Sequence, residues 1–225
     1  MTQDFDHSFS GLSPQKTGQR TTAVIWRWVS ERGVRLETGE ATLARYTALA
    51  GLELPEIEDL IPADGNVLLI LRRGAAMSAD LRQALSLDAA SRPESSGTLH
   101  QITVEYGGAA GLDLDELAQQ AGMDRAAYIH SHSAVEYRVA FLGFQPGFPY
   151  LRGLPAALHA PRRASPRVRV AAGSVAIGGG YCGIYPTSGP GGWHLVGRVD
   201  VSMFDPQRAA PALLLPGDRV RFVAA

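Results

Sequence analysis

Between residues 141 and 197 the chain carries 12 of its 25 glycines and 7 of its 14 prolines. A stretch so punctuated cannot sustain a long helix, because proline breaks the backbone ladder and glycine disfavours the helix interior. The apolar pieces left between these residues, at 138–141, 168–170, 174–177 and 193–196, have strand length. The pattern predicts a β-rich barrel or sandwich with many tight turns.

The sequence before this stretch has a different texture. Thr21 to Val29 is β-branched and aromatic and reads as a strand, with Val34 to Glu37 as its return across the turn Ser30-Glu31-Arg32-Gly33. A helix follows from Ala41 to Ala50, stopped by Gly51. Ile57 to Ile61, ending at Pro62, and Val67 to Leu71 are two further strands, and Ser78 caps a helix to Leu87. The order is ββαββα, a compact two-layer unit. Asp88 to Gly97 has no apolar period and reads as a linker. Beyond it lie a strand at Thr98 to Tyr106 and two short helices, Leu114 to Ala121 and Arg125 to His132, separated by Gly122. Asp113 and Asp115 suit the N-terminus of the first of these helices. Leu213 to Val223, turning at Pro216-Gly217-Asp218, supplies a last strand. The expected organisation is a polar, disordered arm at 1–20, an α+β domain at 21–92 and a β-barrel domain at 97–225.

Composition removes several functional classes. A hydrophobic share of 45% over 225 residues supports a sizeable core. A formal net charge of −1 argues against a generic nucleic-acid binder. No apolar run approaches the roughly 18 residues of a membrane span, and residues 1–20 lack the apolar centre of a signal peptide. The single cysteine, Cys182, excludes an internal disulfide and a cysteine-only zinc site. These features predict a soluble, cytoplasmic protein. The one lysine is Lys16, so the folded part offers no Schiff-base or P-loop lysine.

Charge is unevenly placed. From Tyr137 to Val199 there is no acidic residue, while Arg138, Arg152, Arg162, Arg163, Arg167, Arg169 and Arg198 fall in that span. The planar guanidinium fork matches carboxylates and phosphates, so an anion-binding face is one reading. Ion pairing with acids of the first domain is the other.

Other chemistry is thinner. His132 with Glu136 forms a candidate acid/base pair, against the alternative of a capping or core histidine. His130 and His132 have no Cys/His/Asp cluster in reach by sequence, and no metal site is predicted. Gly178-Gly179-Gly180 is followed by no helix pattern and reads as a hairpin turn rather than a phosphate loop. Gly191-Gly192 reads as a tight turn where backbone meets backbone or ligand. Ser174 is not in a nucleophile elbow, and no basic neighbour in sequence marks Cys182 as a thiolate.

Six segments in order carry a family resemblance: HSAVEYRVAFLGFQPGFPYL from His132, PRRASPRVRV from Pro161, AGSVAIGG from Ala172, GIYP from Gly183, PGGWHLVGR from Pro190 and PGDRVRF from Pro216. Together they resemble the KipI-like family, which takes in allophanate hydrolase subunit 1 and the second, or B, component of 5-oxoprolinase, over Gln101 to Phe222. The first domain matches more weakly, with Ser30 to Gly33 where relatives read G-D-x-A. Tyr181-Cys182 stands where the family has Gln-Thr, and Val199 where it has Thr.

The resemblance implies an α+β fold, with a small N-terminal ββαββα domain followed by a cyclophilin-like β-barrel. It implies one component of an ATP-dependent 5-oxoprolinase, opening 5-oxo-L-proline to L-glutamate together with a KipA-like partner and a LamB/YcsF-like partner. A histidine-kinase inhibitor and a component of the urea carboxylase or allophanate hydrolase type are the alternatives within the family. Under the enzyme reading, Arg162, Arg163, Arg167 and Arg198 hold anions. Phe144, Pro146, Gly147 and Phe148 form an apolar wall and turn, Tyr185 and Trp193 line the barrel mouth, and His132 and Glu136 are the acid/base candidates.

Overall fold

The computed structural model describes residues 25–86 and 97–225. The expected arm at 1–20 and all of the expected linker except Gly97 lie outside them.

Four strands, β1 (Trp26–Trp28), β2 (Gly33–Glu37), β3 (Ile57–Ala63) and β4 (Asn66–Leu71), form an antiparallel sheet in the order β1-β2-β4-β3. Alternation on β4 sends Val67, Leu69 and Leu71 to one face. There they meet Leu49 of helix α1 (Thr42–Ala50) and Leu81, Ala84 and Leu85 of helix α2 (Ala79–Ser86). A short 3₁₀ turn, Gly39–Ala41, leads into α1. The expected strand end at Pro62 is passed by one residue. The proline is tolerated because β3 is an edge strand with a side that needs no amide donor. Ser78 caps α2 as expected, its Oγ accepting from the Leu81 amide at 3.0 Å.

The glycine- and proline-rich region belongs to a closed barrel. Its strands are β5 (Leu99–Tyr106), β6 (Glu136–Leu142), β7 (Pro149–Arg152), β9 (Ser174–Gly178), β10 (Tyr181–Ile184), β12 (His194–Arg198) and β13 (Arg219–Ala224). Their order around the wall is β10-β7-β6-β13-β5-β12-β9, closed by the β9–β10 hairpin. Only β5 and β13 run parallel. The fold is therefore α+β, a small sheet-and-helix unit followed by a barrel. Helices α3 (Leu114–Gln120) and α4 (Arg125–Ser133) lie between β5 and β6 in the chain and pack against the barrel. The last strand is shorter than expected. Residues before Arg219 form a turn in which the Asp218 carboxylate accepts from the amides of Leu215 and Thr98, both at 2.9 Å.

Strand β9 is buried along its whole length. Val175 and Ile177 enter the barrel core, while Ala176 joins a separate cluster with Phe148, Val170, Tyr185, Trp193 and Leu195. The second cluster is covered by a two-stranded ribbon of β8 (Arg167–Val170) and β11 (Gly189–Gly191). This layer against the barrel wall explains why period-2 alternation is absent from β9, and it positions the candidate site.

The two units touch through β3 and β6. Arg152 bonds Asp64 at 2.7 Å across this contact, with its guanidinium carbon 6.0 Å from the Tyr181 ring centre. At Arg152 the arginine-rich stretch does pair with an acid of the N-terminal unit.

Candidate functional site

The aromatic layer opens into a cleft of about 290 Å³ lined by Phe144, Phe148, Tyr150, Tyr185, Trp193 and the arginines Arg162 and Arg163, among others. Its rings meet edge to face: Phe148 lies 5.1 Å from Tyr185 and 5.3 Å from Trp193, with interplanar angles of 86° and 88°. Glycine makes that density possible. A Cβ on Gly178 would sit 2.6 Å from the Trp193 ring, and one on Gly191 would overlap the Tyr185 hydroxyl. The turn at Gly191-Gly192 is thus a close approach of backbone to ring.

One wall of the cleft is held by a buried acid. Asp113 precedes α3, and its side chain makes no capping bond to that helix. Instead its carboxylate accepts from the Leu195 amide at 2.7 Å, from Arg163 Nη1 at 2.9 Å, and from Arg167 Nη1 and Nη2 at 2.9 and 2.7 Å. Burial alone would raise its pKa. The bonds from Arg167 and the Leu195 amide, with the charges of both arginines, outweigh this and hold it below the ordinary carboxylate range. The expected role of Asp113 at a helix dipole is corrected accordingly: the carboxylate turns away from α3 to satisfy two guanidiniums and a strand amide. Further bonds fix the segment that carries the arginines. The Arg163 amide donates to Gly192 O at 2.8 Å, and His194 Nε2 lies 3.0 Å from Pro161 O.

The three arginines are not equivalent. Arg167 is forked onto Asp113. Arg163 spends one terminal nitrogen on Asp113, and its Nε is buried with no partner among the described residues. Arg162 lines the cleft and forms no ion pair with a carboxylate among the described residues. One carboxylate against three guanidiniums leaves the wall electropositive.

Other expected site residues lie elsewhere. Pro146 is exposed, and Gly147 is buried beside Phe204 and Met203; neither lines the cleft. Arg198 ends β12 and faces a separate open groove of about 820 Å³ with residues of β5, so it does not join the other arginines. That groove is larger, but it lacks the cleft's combination of clustered rings and arginines.

His132 and Glu136 do not meet as an acid/base pair. His132 is fully buried, with Nδ1 2.8 Å from the Tyr106 hydroxyl, Nε2 3.4 Å from Cys182 Sγ, and its ring stacked on Phe222 at 5.1 Å. Burial pushes its pKa down to about 3, so the imidazole is neutral. Glu136 lies at the start of β6 and pairs with Arg219 and Arg221 at 3.5 and 3.2 Å. A helix end in the barrel core and a strand start at the surface separate the two side chains. Cys182 does have a histidine beside it, from 50 residues away in sequence. Burial raises its pKa, which keeps it a thiol.

Residues 18–214 match the family model for the carboxyltransferase domain, subdomain C and D. The chain belongs to this family. Among its relatives in the KipI-like branch is the 5-oxoprolinase B subunit of Escherichia coli O157:H7, 47% identical over 176 residues, which are 76% of this chain and 80% of the relative. Its counterpart in Haemophilus influenzae is 50% identical over 123 residues, 55% of this chain and 58% of the relative. The crystal structure of TTHA0988 matches with a TM-score of 0.73 at 39% identity, covering 86% of this carboxyltransferase-family chain and 40% of that one. The matched region spans 40% of that larger solved protein.

Proposed function

We propose that this chain is a non-autonomous component of an ATP-dependent 5-oxoprolinase and that its aromatic cleft binds the carboxylate-bearing ring of 5-oxo-L-proline. The observation that carries the reading is the placement of Arg162 and Arg163 in the lining of a small aromatic cleft, with Arg162 paired to no carboxylate among the described residues. A five-membered lactam has apolar ring faces to lie against Phe148, Tyr185 and Trp193. Its carboxylate suits a guanidinium, and its amide groups can bond to backbone at the Gly191-Gly192 turn.

The same dimensions argue against nucleotide in this cleft. About 290 Å³ with a mostly apolar lining is small for a triphosphate and base. The turn at Gly179-Gly180 joins two strands, so it brings no helix N-terminus to a phosphate. The residues here do not fit ATP, and in this proposal ATP is bound by the partners, one KipA-like and one LamB/YcsF-like. Water adds across the lactam C–N bond to give L-glutamate, coupled to ATP hydrolysis. This chain's residues bind and orient the ring and exclude solvent from it.

The test is reconstitution. Glutamate release from 5-oxo-L-proline with ATP is expected only when this chain is mixed with both partners. Turnover by the purified chain alone, or undiminished turnover by the two partners without it, overturns the proposal.

A further inference from the structure

Phe144 carries a backbone conformation that its side chain disfavours. Its φ is +65°, and the only other non-glycine residue with positive φ among those described is Glu53. Glu53 follows the end of α1, where left-handed residues commonly terminate helices. Phe144 has no such excuse. It sits in the β6–β7 loop between Gly143 and Gly147, and although Gly147 also has a positive φ of +77°, the loop places a second left-handed residue at a phenylalanine rather than at the adjacent Gly143.

The loop is firmly tied. Gly143 N donates to Phe148 O at 3.1 Å, Gln145 N to Gly143 O at 2.7 Å, and Phe148 N to Gln145 O at 3.0 Å. The strained backbone aims the ring at the mouth of the cleft. It stands edge-on to Phe148 at 5.5 Å and to Tyr185 at 6.2 Å, yet it is 61% exposed. A ring placed for core packing would be covered. This one leans on the aromatic floor and leaves its other side to the opening, facing a cleft whose rim carries Arg162 and Arg163.

We infer that Phe144 is a specificity-determining lip, held in a left-handed conformation so that its ring closes over the ring of a small cyclic carboxylate while the arginines take the charge. The inference rests on the proposed cleft but makes a separate claim: that the site selects a ring over an open chain, and that Phe144 supplies this selection. Strain maintained by surrounding structure at a ligand-facing position is the usual signature of such a role.

The experiment measures binding to the full chain by ligand-observed NMR, with two probes of similar charge, 5-oxo-L-proline and acyclic N-acetylglycine. Parent, Phe144→Ala, Phe144→Gly and Arg162→Ala proteins are compared, with melting temperatures. Both Phe144 variants are expected to bind 5-oxo-L-proline about tenfold more weakly and to lose the preference for it over N-acetylglycine. Arg162→Ala is expected to weaken both ligands alike. Phe144→Gly is expected to melt about 2–4 °C above Phe144→Ala, because only glycine accepts the left-handed backbone freely. If the Phe144 variants keep the ring preference while Arg162→Ala loses binding, the lip is wrong and the cleft stands. If the parent binds neither probe, both fall. Equal melting of the alanine and glycine variants overturns the claim of strain.

Discussion

Asp113 and Arg167 lie 54 residues apart in sequence and meet through two hydrogen bonds of 2.9 and 2.7 Å. With Arg163 and the Leu195 amide on the same carboxylate, one buried acid ties the start of α3, strand β12 and the arginine-bearing edge of the cleft together. It also divides the labour among the arginines. Arg167 is consumed as a strut, Arg163 is half consumed, and Arg162 remains for a ligand.

Asp113→Asn keeps the shape and removes the charge, leaving two partly buried guanidiniums facing a neutral amide. Removing one partner of a buried ion pair costs about 3 kcal/mol, which for a chain of this size lowers the melting temperature by about 6–12 °C. The pH dependence has a definite sign. The folded carboxyl is held below its ordinary value, so its contribution is complete above the unfolded value of about 3.9 and disappears as pH falls through the folded one. The gap between parent and variant melting temperatures should therefore narrow below about pH 4. A gap independent of pH down to about 2 would contradict this.

His132 gives a second pH signature in a different window. Its folded pKa is about 3, well under the unfolded value of about 6.5. Between these values the unfolded chain takes up a proton that the buried ring refuses, so stability falls as pH is lowered. The slope attributable to this group is about 1.4 kcal/mol per pH unit between roughly pH 6 and pH 4. Stability measured by urea denaturation across this range should show that slope in the parent and lack it in His132→Gln. The His132 ring protons should not titrate by NMR between about pH 5 and 8.

Cys182 is predicted to be inert. Although His132 Nε2 is 3.4 Å from its sulfur, burial raises the thiol pKa and lowers that of the imidazole, so proton transfer to give a thiolate–imidazolium pair is disfavoured from both sides. An aromatic disulfide reagent should label the native chain no faster than the chain unfolds, and stoichiometrically in denaturant. Rapid labelling of the native protein would show a reactive thiol instead.

Local chemistry was legible in the sequence wherever short-range rules govern it. The spacing of glycine and proline marked the barrel, and Ser78 marked the start of α2. Of the ligand-binding candidates that the sequence offers, Phe144, Phe148, Tyr185, Trp193, Arg162 and Arg163 line one cleft, whereas Arg167, Arg198, Pro146 and Gly147 do not. What could not be read was pairing over long separations. Asp113 sits beside a helix start, and only the closure of β12 against β5 brings it to Arg163 and Arg167. The acid-free run from Tyr137 to Val199 was the available signal, since a buried arginine there must find its carboxylate outside the run. Likewise, proximity in sequence paired His132 with Glu136, whereas the helix-to-strand transition between them sends one to the core and the other to the surface.

The unequal environments of the arginines yield the sharpest functional prediction. Arg167→Ala removes both bonds of the fork and leaves a buried carboxylate short of donors, so its main effect should be on stability, about 2–3 kcal/mol. Arg162→Ala breaks no ion pair among the described residues, and its effect on stability should stay within about 0.5 kcal/mol. If Arg162 receives the ligand carboxylate, its loss removes a charge-assisted bond worth about 2 kcal/mol, or roughly 30-fold in affinity for 5-oxo-L-proline. Lysine at 162 should restore the charge but little of the affinity, because an ammonium cannot reproduce the planar fork. Arg163→Ala should fall between the two, losing both stability and affinity. Denaturation curves and ligand titrations on the same proteins separate these outcomes. An Arg167→Ala protein that is as stable as the parent, or an Arg162→Ala protein that binds as the parent does, would reverse the assignment of strut and ligand-binding arginine.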